Sequence, residues 1–223
     1  VSIVVAVDGP AGSGKSSVSK ATARRLGYSY YDTGAAYRAL TIAALTRGID
    51  LSDQDAVLGV LAGWDYQASE DPDAQAFFVD GVDVTEAIRG EEASASVSTI
   101  ARHPLAREGL VAHFRAVIQA CQNPGIIMEG RDITTVVAPD APVRILLTAS
   151  EDVRIARRAA ELEGVLAAPQ VGQALSNRDR SDQSVVDFMN PAEGVHLLDS
   201  TSLTFEETIE AMCELITGHG VES

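Results

Sequence analysis

Lysine is scarce in this chain: Lys15 and Lys20 are the only two, and the other 15 of its 17 basic residues are arginines. Guanidinium groups suit bidentate contact with phosphate and carboxylate, although an arginine-rich genome gives the same bias. Positive charge is short as well. With 32 acidic residues the formal charge is −15, and a surface that acidic repels a phosphate polymer, which argues against nucleic acid as the main partner. A small phosphate ligand in a local basic cleft remains open. Cysteine is nearly absent: Cys121 and Cys213 stand alone without C-x-x-C spacing, so neither a zinc site nor a disulfide scaffold is expected and both are read as packing residues. The four histidines, His103, His113, His196 and His219, show no spacing that points to metal or general-base work. No stretch of 18 residues is free of charged or polar side chains, so no membrane span is expected. The apolar start Val1 to Val7 runs into Asp8-Gly9-Pro10 without a signal-peptide pattern, and the expectation is a cytoplasmic protein. Internal repeats and low-complexity tracts are also lacking.

What is present is an alternation of strand and helix signals. A length of 223 residues with 46% hydrophobic content builds one α/β core with an inserted subdomain, whereas two independent domains would be cramped. Ser2 to Val7 reads as a buried parallel strand ending at a glycine-rich turn, and Lys15 to Leu26 as a helix with Val18, Ala21 and Leu26 on its buried face. Tyr28 to Tyr31 is a second strand, followed by Asp32-Thr33-Gly34 and a helix through Tyr37, Leu40, Ala44 and Leu45. From about Asp50 to Ser98 acidic and small residues surround two short apolar runs joined by Asp80-Gly81, the mark of a tight hairpin, and the region is read as a small lobe of antiparallel strands. The main layer resumes with a helix from Pro104 to Cys121, strands at Ile126 to Met128 and Val143 to Leu147, and a helix started by Ser150, Glu151 and Asp152. Spacings of three and four residues place Arg154, Arg157 and Arg158 on one face of that helix. Gly164 to Gly172 reads as a loop. A last strand, Val195 to Leu198, leads to a helix from Phe205 capped by a box from Thr204 to Glu207. The pattern predicts a mostly parallel sheet covered by helices on both faces.

Gly9-Pro10-Ala11-Gly12-Ser13-Gly14-Lys15-Ser16 fits G-x-x-x-x-G-K-[ST] without a mismatch and lies between a predicted strand and a predicted helix, as a phosphate loop must. Its backbone N–H groups would converge on phosphates, Lys15 would bridge the β- and γ-phosphates, and the Ser16 hydroxyl would ligate Mg²⁺. The alternative is an ordinary glycine-rich turn. No D-x-x-G follows the loop and no N-K-x-D occurs, so the signals of a GTP switch protein are missing, and a motor or assembly ATPase would need more chain. The loop binds a nucleoside triphosphate, here taken as ATP held by Gly9 through Ser17, but it does not name the acceptor.

Three blocks bear on the acceptor: Asp8 to Ser17; Asp32-Thr33-Gly34-Ala35-Ala36-Tyr37-Arg38; and Gly130-Arg131-Asp132 with Val136, Val137, Pro139, Asp140 and Ala141. Together with Leu198-Asp199-Ser200-Thr201 they resemble the bacterial cytidylate kinases over nearly the whole chain and in the same order. The resemblance implies a single P-loop kinase domain over residues 1–223, with an NMP-binding insert at about residues 60–98 and a mobile lid at about 154–182. It also implies a monomer that converts ATP and CMP, with dCMP often accepted, into ADP and CDP. By the same likeness Thr33, Arg38, Ser98, Arg107, Arg131, Asp132, Arg178 and Asp182 would contact the acceptor: Ser98, Arg107 and Asp132 at the base, Asp182 at the ribose. Cytosine offers an amino donor beside two acceptors, so reading it needs a carboxylate or hydroxyl near an arginine. Arg38 and Arg131 carry charge suited to the acceptor phosphate, and Lys15, Arg154, Arg157 and Arg158 would act on the transferring phosphoryl group.

Each of these has a plainer reading. Arg107 is read as structural when taken alone, Arg131 and Asp132 would pair with each other at a strand end, and the three arginines after Ser150 would be solvated partners of Glu151, Asp152, Glu161 and Glu163. Other small acceptors, or a nucleotide-dependent regulatory module, remain open for the chain as a whole. Two departures from the family pattern stand out. The segment Arg178-Asp179-Arg180-Ser181-Asp182-Gln183-Ser184-Val185 ends in valine where the family has an arginine that helps hold the acceptor, with Arg180 as a possible substitute. Thr134 stands where the family has glycine, and a β-branched residue would restrict that turn.

Overall fold

The computed structural model describes residues 2–161 and 168–218. The chain divides into two compact units, Val1–Tyr30 with Gln122–Ser223, and Tyr31–Cys121. Five strands form the main sheet: β1 (Ile3–Asp8), β2 (Ser29–Asp32), which runs from the first unit into the second, β6 (Gly125–Gly130), β7 (Val143–Thr148) and β8 (His196–Asp199). Their order is β2-β6-β1-β7-β8.

β1 is the central strand of the first unit because its run IVVAVD is β-branched and apolar, and its last four residues are buried. It pairs in parallel with β6 and β7, which bring Glu129 opposite Val7 and Leu146 opposite Asp8. β8 extends the sheet in parallel beyond β7. Helices α1 (Lys15–Leu26) and α8 (Phe205–Gly218) pack against the strands through Val18, Ile209, Met212 and Ile216. Each such side chain stabilises the fold by roughly 1.5–3 kcal/mol. The Thr204–Glu207 box forms reciprocally: the Thr204 N–H and hydroxyl each donate to Glu207 Oε2 at 2.8 Å, and the Glu207 N–H donates to Thr204 Oγ1 at 3.2 Å.

Two helices, α6 (Glu151–Glu161) and α7 (Ala168–Gln183), complete the first unit. α7 corrects the loop expected from Gly164 to Gly172: residues 162–167 lie outside the described ones, and 168–172 are helical. Pro169 falls in the first turn, where a missing N–H costs nothing. Gly172 serves close approach, since a Cβ there would lie 2.9 Å from Ile155 Cδ1 of α6. Val171 and Leu175 of α7 pack with Ala11, Ile155 and Ala159.

The second unit holds α2 (Thr33–Thr46), α3 (Gln54–Ala62), the antiparallel strands β3 (Tyr66–Ala68), β4 (Phe77–Val79) and β5 (Val82–Asp83), then α4 (Glu91–Ala101) and α5 (Pro104–Ala120). The Asp80-Gly81 hairpin forms as predicted, with φ of 52° and 77° at the two turn residues, as a mirror-image two-residue turn requires. The two helices α3 and α4 flank it within the region read as strands alone. Asp53 caps α3 by accepting from the Ala56 N–H, and Glu91 and Glu92 sit at the first turn of α4. Trp64 stacks on Tyr66 with ring centroids 4.8 Å apart, and Tyr66, Tyr31 and Phe114 surround His113. The Tyr31 hydroxyl lies 2.9 Å from His113 Nε2, and burial lowers the pKa of the half-buried His113 ring. Cys121 is buried and Cys213 half-buried.

Candidate active site

The loop from Gly9 to Ser16 joins the C-terminal end of β1 to α1, the end of a parallel sheet at which ligands bind. A Cβ at Gly9 would clash with the Leu147 carbonyl, and one at Gly12, whose φ is 75°, would lie 2.8 Å from the Arg154 carbonyl. Lys15 Nζ lies 3.9 Å from Glu129 Oε2, while the hydroxyls of Ser16 and Tyr30 donate to Glu129 Oε1 at 2.6 and 3.0 Å. Glu129 is only 2% exposed, and these donors offset the cost of burying its charge. The Ser13 hydroxyl is buried in the loop with no hydrogen-bond partner among the described residues.

Two of the three α6 arginines turn onto this loop. Arg154, 7% exposed, donates from Nη1 to the Ala11 carbonyl at 2.8 Å and to Asp179 Oδ2 at 2.5 Å, and the Ala11 N–H donates to Asp179 Oδ1 at 2.9 Å. Arg157 donates to the Ser13 carbonyl at 3.1 Å and to the hydroxyl and carbonyl of Ser200, both at 2.9 Å. Arg158 lies exposed one position further on. The solvated reading therefore does not describe Arg154 and Arg157. They brace the phosphate loop from outside.

Arg131, just past β6, turns to α7. Its Nε donates to Asp182 Oδ2 at 3.0 Å, its Nη1 donates to the Gly9 carbonyl, and its Nη2 lies 3.6 Å from Asp179 Oδ1. Its guanidinium carbon sits 4.5 Å from the ring centroid of Phe188. Asp132 is buried, and its carbonyl accepts from the N–H groups of Val136 and Val137 at the start of a π-helical turn, Ile133–Val137. Arg178 belongs to the backbone of α7, but its side chain lies outside the described residues. Arg180 is exposed on α7, and the N–H of Val185 donates to the Asp182 carbonyl where that helix ends.

Behind the loop, Asp8 is 2% exposed. It accepts from the Ile133 and Thr134 N–H groups at 2.8 Å each and from the Thr134 hydroxyl at 2.6 Å. Burial pushes its pKa up to about 6, against the opposite pull of these bonds. Thr134 is not strained: among the described residues Asp80 is the one non-glycine at positive φ. In place of the hydrogen of glycine it supplies a donor to a buried carboxylate.

In the second unit, Asp32 caps α2, accepting from the Ala35 N–H at 2.9 Å and from Arg38 Nη2 at 3.0 Å. A Cβ at Gly34 would lie 3.1 Å from Arg38 Nη1 and from Asp32 Oδ1, so a side chain there would press on the pair. Thr33 is buried at the first position of α2, and Ser98 on α4 and Arg107 on α5 are half-buried.

The model of the cytidylate kinase family matches residues 5–218. The chain belongs to the cytidylate kinase family. Membership makes it a phosphotransferase. A cytidylate kinase of Cutibacterium acnes is 43% identical over 216 residues, 96% of each chain, and one of Geobacillus thermodenitrificans is 41% identical over 220 residues, again 96% of each. Among solved structures, one from Thermus thermophilus aligns at a TM-score of 0.52 and 16% identity, covering 100% of this chain and 99% of that one. An uncharacterized protein from Eubacterium ventriosum aligns at 0.54 and 11% identity over 96% and 98%. These two likenesses show the fold alone. For a family member, four residues of the site escaped the sequence reading: Asp8, Glu129, Asp179 and Phe188. Asp8 and Asp179 stood inside motif segments without being given a role, Glu129 directly precedes Gly130, and Phe188 carried no signal.

Proposed function

We propose that the chain transfers the γ-phosphoryl group of ATP to CMP and dCMP, giving ADP with CDP or dCDP. The phosphate loop, with Lys15 and Ser16 converging on the buried carboxylate of Glu129, supports the ATP half of this reading, and membership of the cytidylate kinase family supports the acceptor half. Gly9 through Ser17 bind the triphosphate, and Lys15 bridges its β- and γ-groups. Arg154 and Arg157, tied to loop carbonyls, and Arg158 on the same helix place positive charge beside the transferring group. The acceptor phosphate is anionic at neutral pH, so no base is needed and alignment does the chemistry. Arg38 and Arg131 hold that phosphate, Ser98, Arg107 and Asp132 read the cytosine, Asp182 meets the ribose, and Thr33 and Arg178 complete the acceptor contacts.

The Ser16 hydroxyl and the Glu129 carboxylate, 2.6 Å apart, are hard oxygen donors of the kind Mg²⁺ takes together with phosphate oxygens and water. Bound there, Mg²⁺ would supply positive charge to neutralise the triphosphate. An NMP-binding lobe at about residues 60–98 and a lid at about 154–182 belong to the same reading, the lid excluding water that would otherwise take the phosphoryl group. So do a cytoplasmic location and a monomeric state, the latter checked by light scattering. No described helix is long and apolar enough to cross a membrane.

The test is ADP release with CMP, dCMP, UMP, AMP or no acceptor. Preference for CMP and dCMP is expected. Preference for AMP would point to another nucleotide kinase, and release without acceptor to a nucleotide-dependent regulatory module. Lys15→Ala is expected to lower turnover by orders of magnitude in the CMP assay, and near-normal turnover would sink the proposal.

A further inference from the structure

Past the end of α7 the chain makes a short turn whose geometry is set by Asp187. Its Oδ1 accepts from the N–H groups of Met189 and Asn190 at 3.0 and 3.2 Å, and its Oδ2 accepts from Asn190 Nδ2 at 3.0 Å. These bonds hold its carboxyl below the usual carboxylate range, so the turn is kept by an ionised group at neutral pH. Asp187, Met189 and Asn190 are exposed, whereas Phe188 is 1% exposed. The turn drives a single side chain inward, and that side chain is the ring lying 4.5 Å from the guanidinium carbon of Arg131.

The rest of the Arg131 environment leaves that ring a definite task. A guanidinium carries five N–H donors in one plane. One on Nε goes to Asp182 and one on Nη1 goes to the Gly9 carbonyl, while Nη2 stands 3.6 Å from Asp179 Oδ1, an ion-pair distance longer than a hydrogen bond. Two anchoring bonds fix such a group in its plane but let it swing about the line joining the two acceptors. A surface against its face removes the swing. An aromatic ring does this better than an aliphatic side chain of similar bulk, because the negative π face attracts the cation as well as blocking it.

We propose that Phe188 is a positioning residue for Arg131, fixing the tilt of the guanidinium so that its remaining N–H groups meet the acceptor phosphate in one direction. The proposal rests on Arg131 being a contact of that phosphate. It predicts a defect confined to the acceptor side of the reaction. A residue that only filled the core would lower the amount of folded enzyme, and with it kcat, without moving one Michaelis constant against the other.

The experiment is steady-state kinetics with ATP and CMP varied in turn for the wild-type enzyme and for Arg131→Ala, Phe188→Leu, Phe188→Met and Phe188→Tyr, each checked for a cooperative melt. Phe188→Leu and Phe188→Met should raise KM for CMP about tenfold, the factor that ~1.4 kcal/mol produces. KM for ATP should stay within about twofold, and Phe188→Tyr, which keeps the π face, should stay close to the wild type. Unchanged KM for CMP in the two aliphatic variants overturns the proposal, as does a parallel rise in both Michaelis constants or a Tyr variant as impaired as Leu. If both aliphatic variants fail to fold, Phe188 is a packing residue and the proposal fails. Should Arg131→Ala itself leave KM for CMP unchanged, the assignment of Arg131 fails; should it raise KM while Phe188→Leu is silent, only the role of Phe188 does.

Discussion

Asp8 ties the phosphate loop to the turn that carries Asp132, and it makes the stability of that junction depend on pH. Its folded pKa of about 6 is above the ordinary 3.8, so between those values the folded chain holds more protons than the unfolded one. Asp8 therefore favours the fold most at pH below about 4, and this contribution, on the order of 3 kcal/mol, is lost as pH rises through about 6. The Thr134 hydroxyl works against that loss by donating to the ionised form. Thr134→Gly should cost about 1.5–3 kcal/mol at pH 8, and clearly less at pH 4.5 where Asp8 is protonated. Urea unfolding of both proteins at the two pH values checks this, and an equal cost at both would mean that Thr134 does not serve the carboxylate. Sequence alone read Thr134 as a restriction on a turn, because the partner that uses its hydroxyl lies 126 positions away. Distance along the chain hid the other acidic groups too: Ser16 and Glu129 are 113 residues apart, and Ala11 and Asp179 are 168 apart. Lys15 was legible because the phosphate loop is local, and the arginines because the motif blocks that hold them resemble a family. Their carboxylate partners depend on strand register and helix docking.

Elements with strong local signals were read almost to the residue. α1 runs from Lys15 to Leu26 as expected, and the Asp80-Gly81 turn and the Thr204 box form as the sequence predicts. α3 and α4 were missed because acidic and small residues surround the hairpin runs and their apolar spacing is short. α7 was misread at its start because Pro169 and Gly172 are loop signals when judged by propensity. Tertiary packing reverses the meaning of Gly172, which admits Ile155 of α6. Gly172→Val should cost about 1–3 kcal/mol by overpacking, and Ile155→Ala should relieve part of that cost when combined with it. Urea unfolding of the two single variants and the double variant measures the coupling. Additive effects would mean that the two residues do not meet.

At the scale of the whole chain, a charge of −15 favours expansion through self-repulsion, so the folded state gains from screening. Raising NaCl from low to moderate concentration should raise the melting temperature, and a melting temperature indifferent to salt would show the acidic residues to be locally compensated. Nucleotide adds stability by mass action, about 2.7 kcal/mol at a hundredfold excess over its dissociation constant. ATP with Mg²⁺ should therefore raise the melting temperature of the wild type, and Lys15→Ala should blunt that rise.

The stack of Trp64 on Tyr66 has a practical consequence. Trp64 is the only tryptophan in the chain, and it lies in the second unit beside the three-stranded sheet. Its emission, excited selectively at the red edge, is a native spectroscopic reporter of that unit alone. Circular dichroism of the helices reads both units, so the two signals recorded on one denaturation curve tell whether the protein melts as one cooperative body or as two.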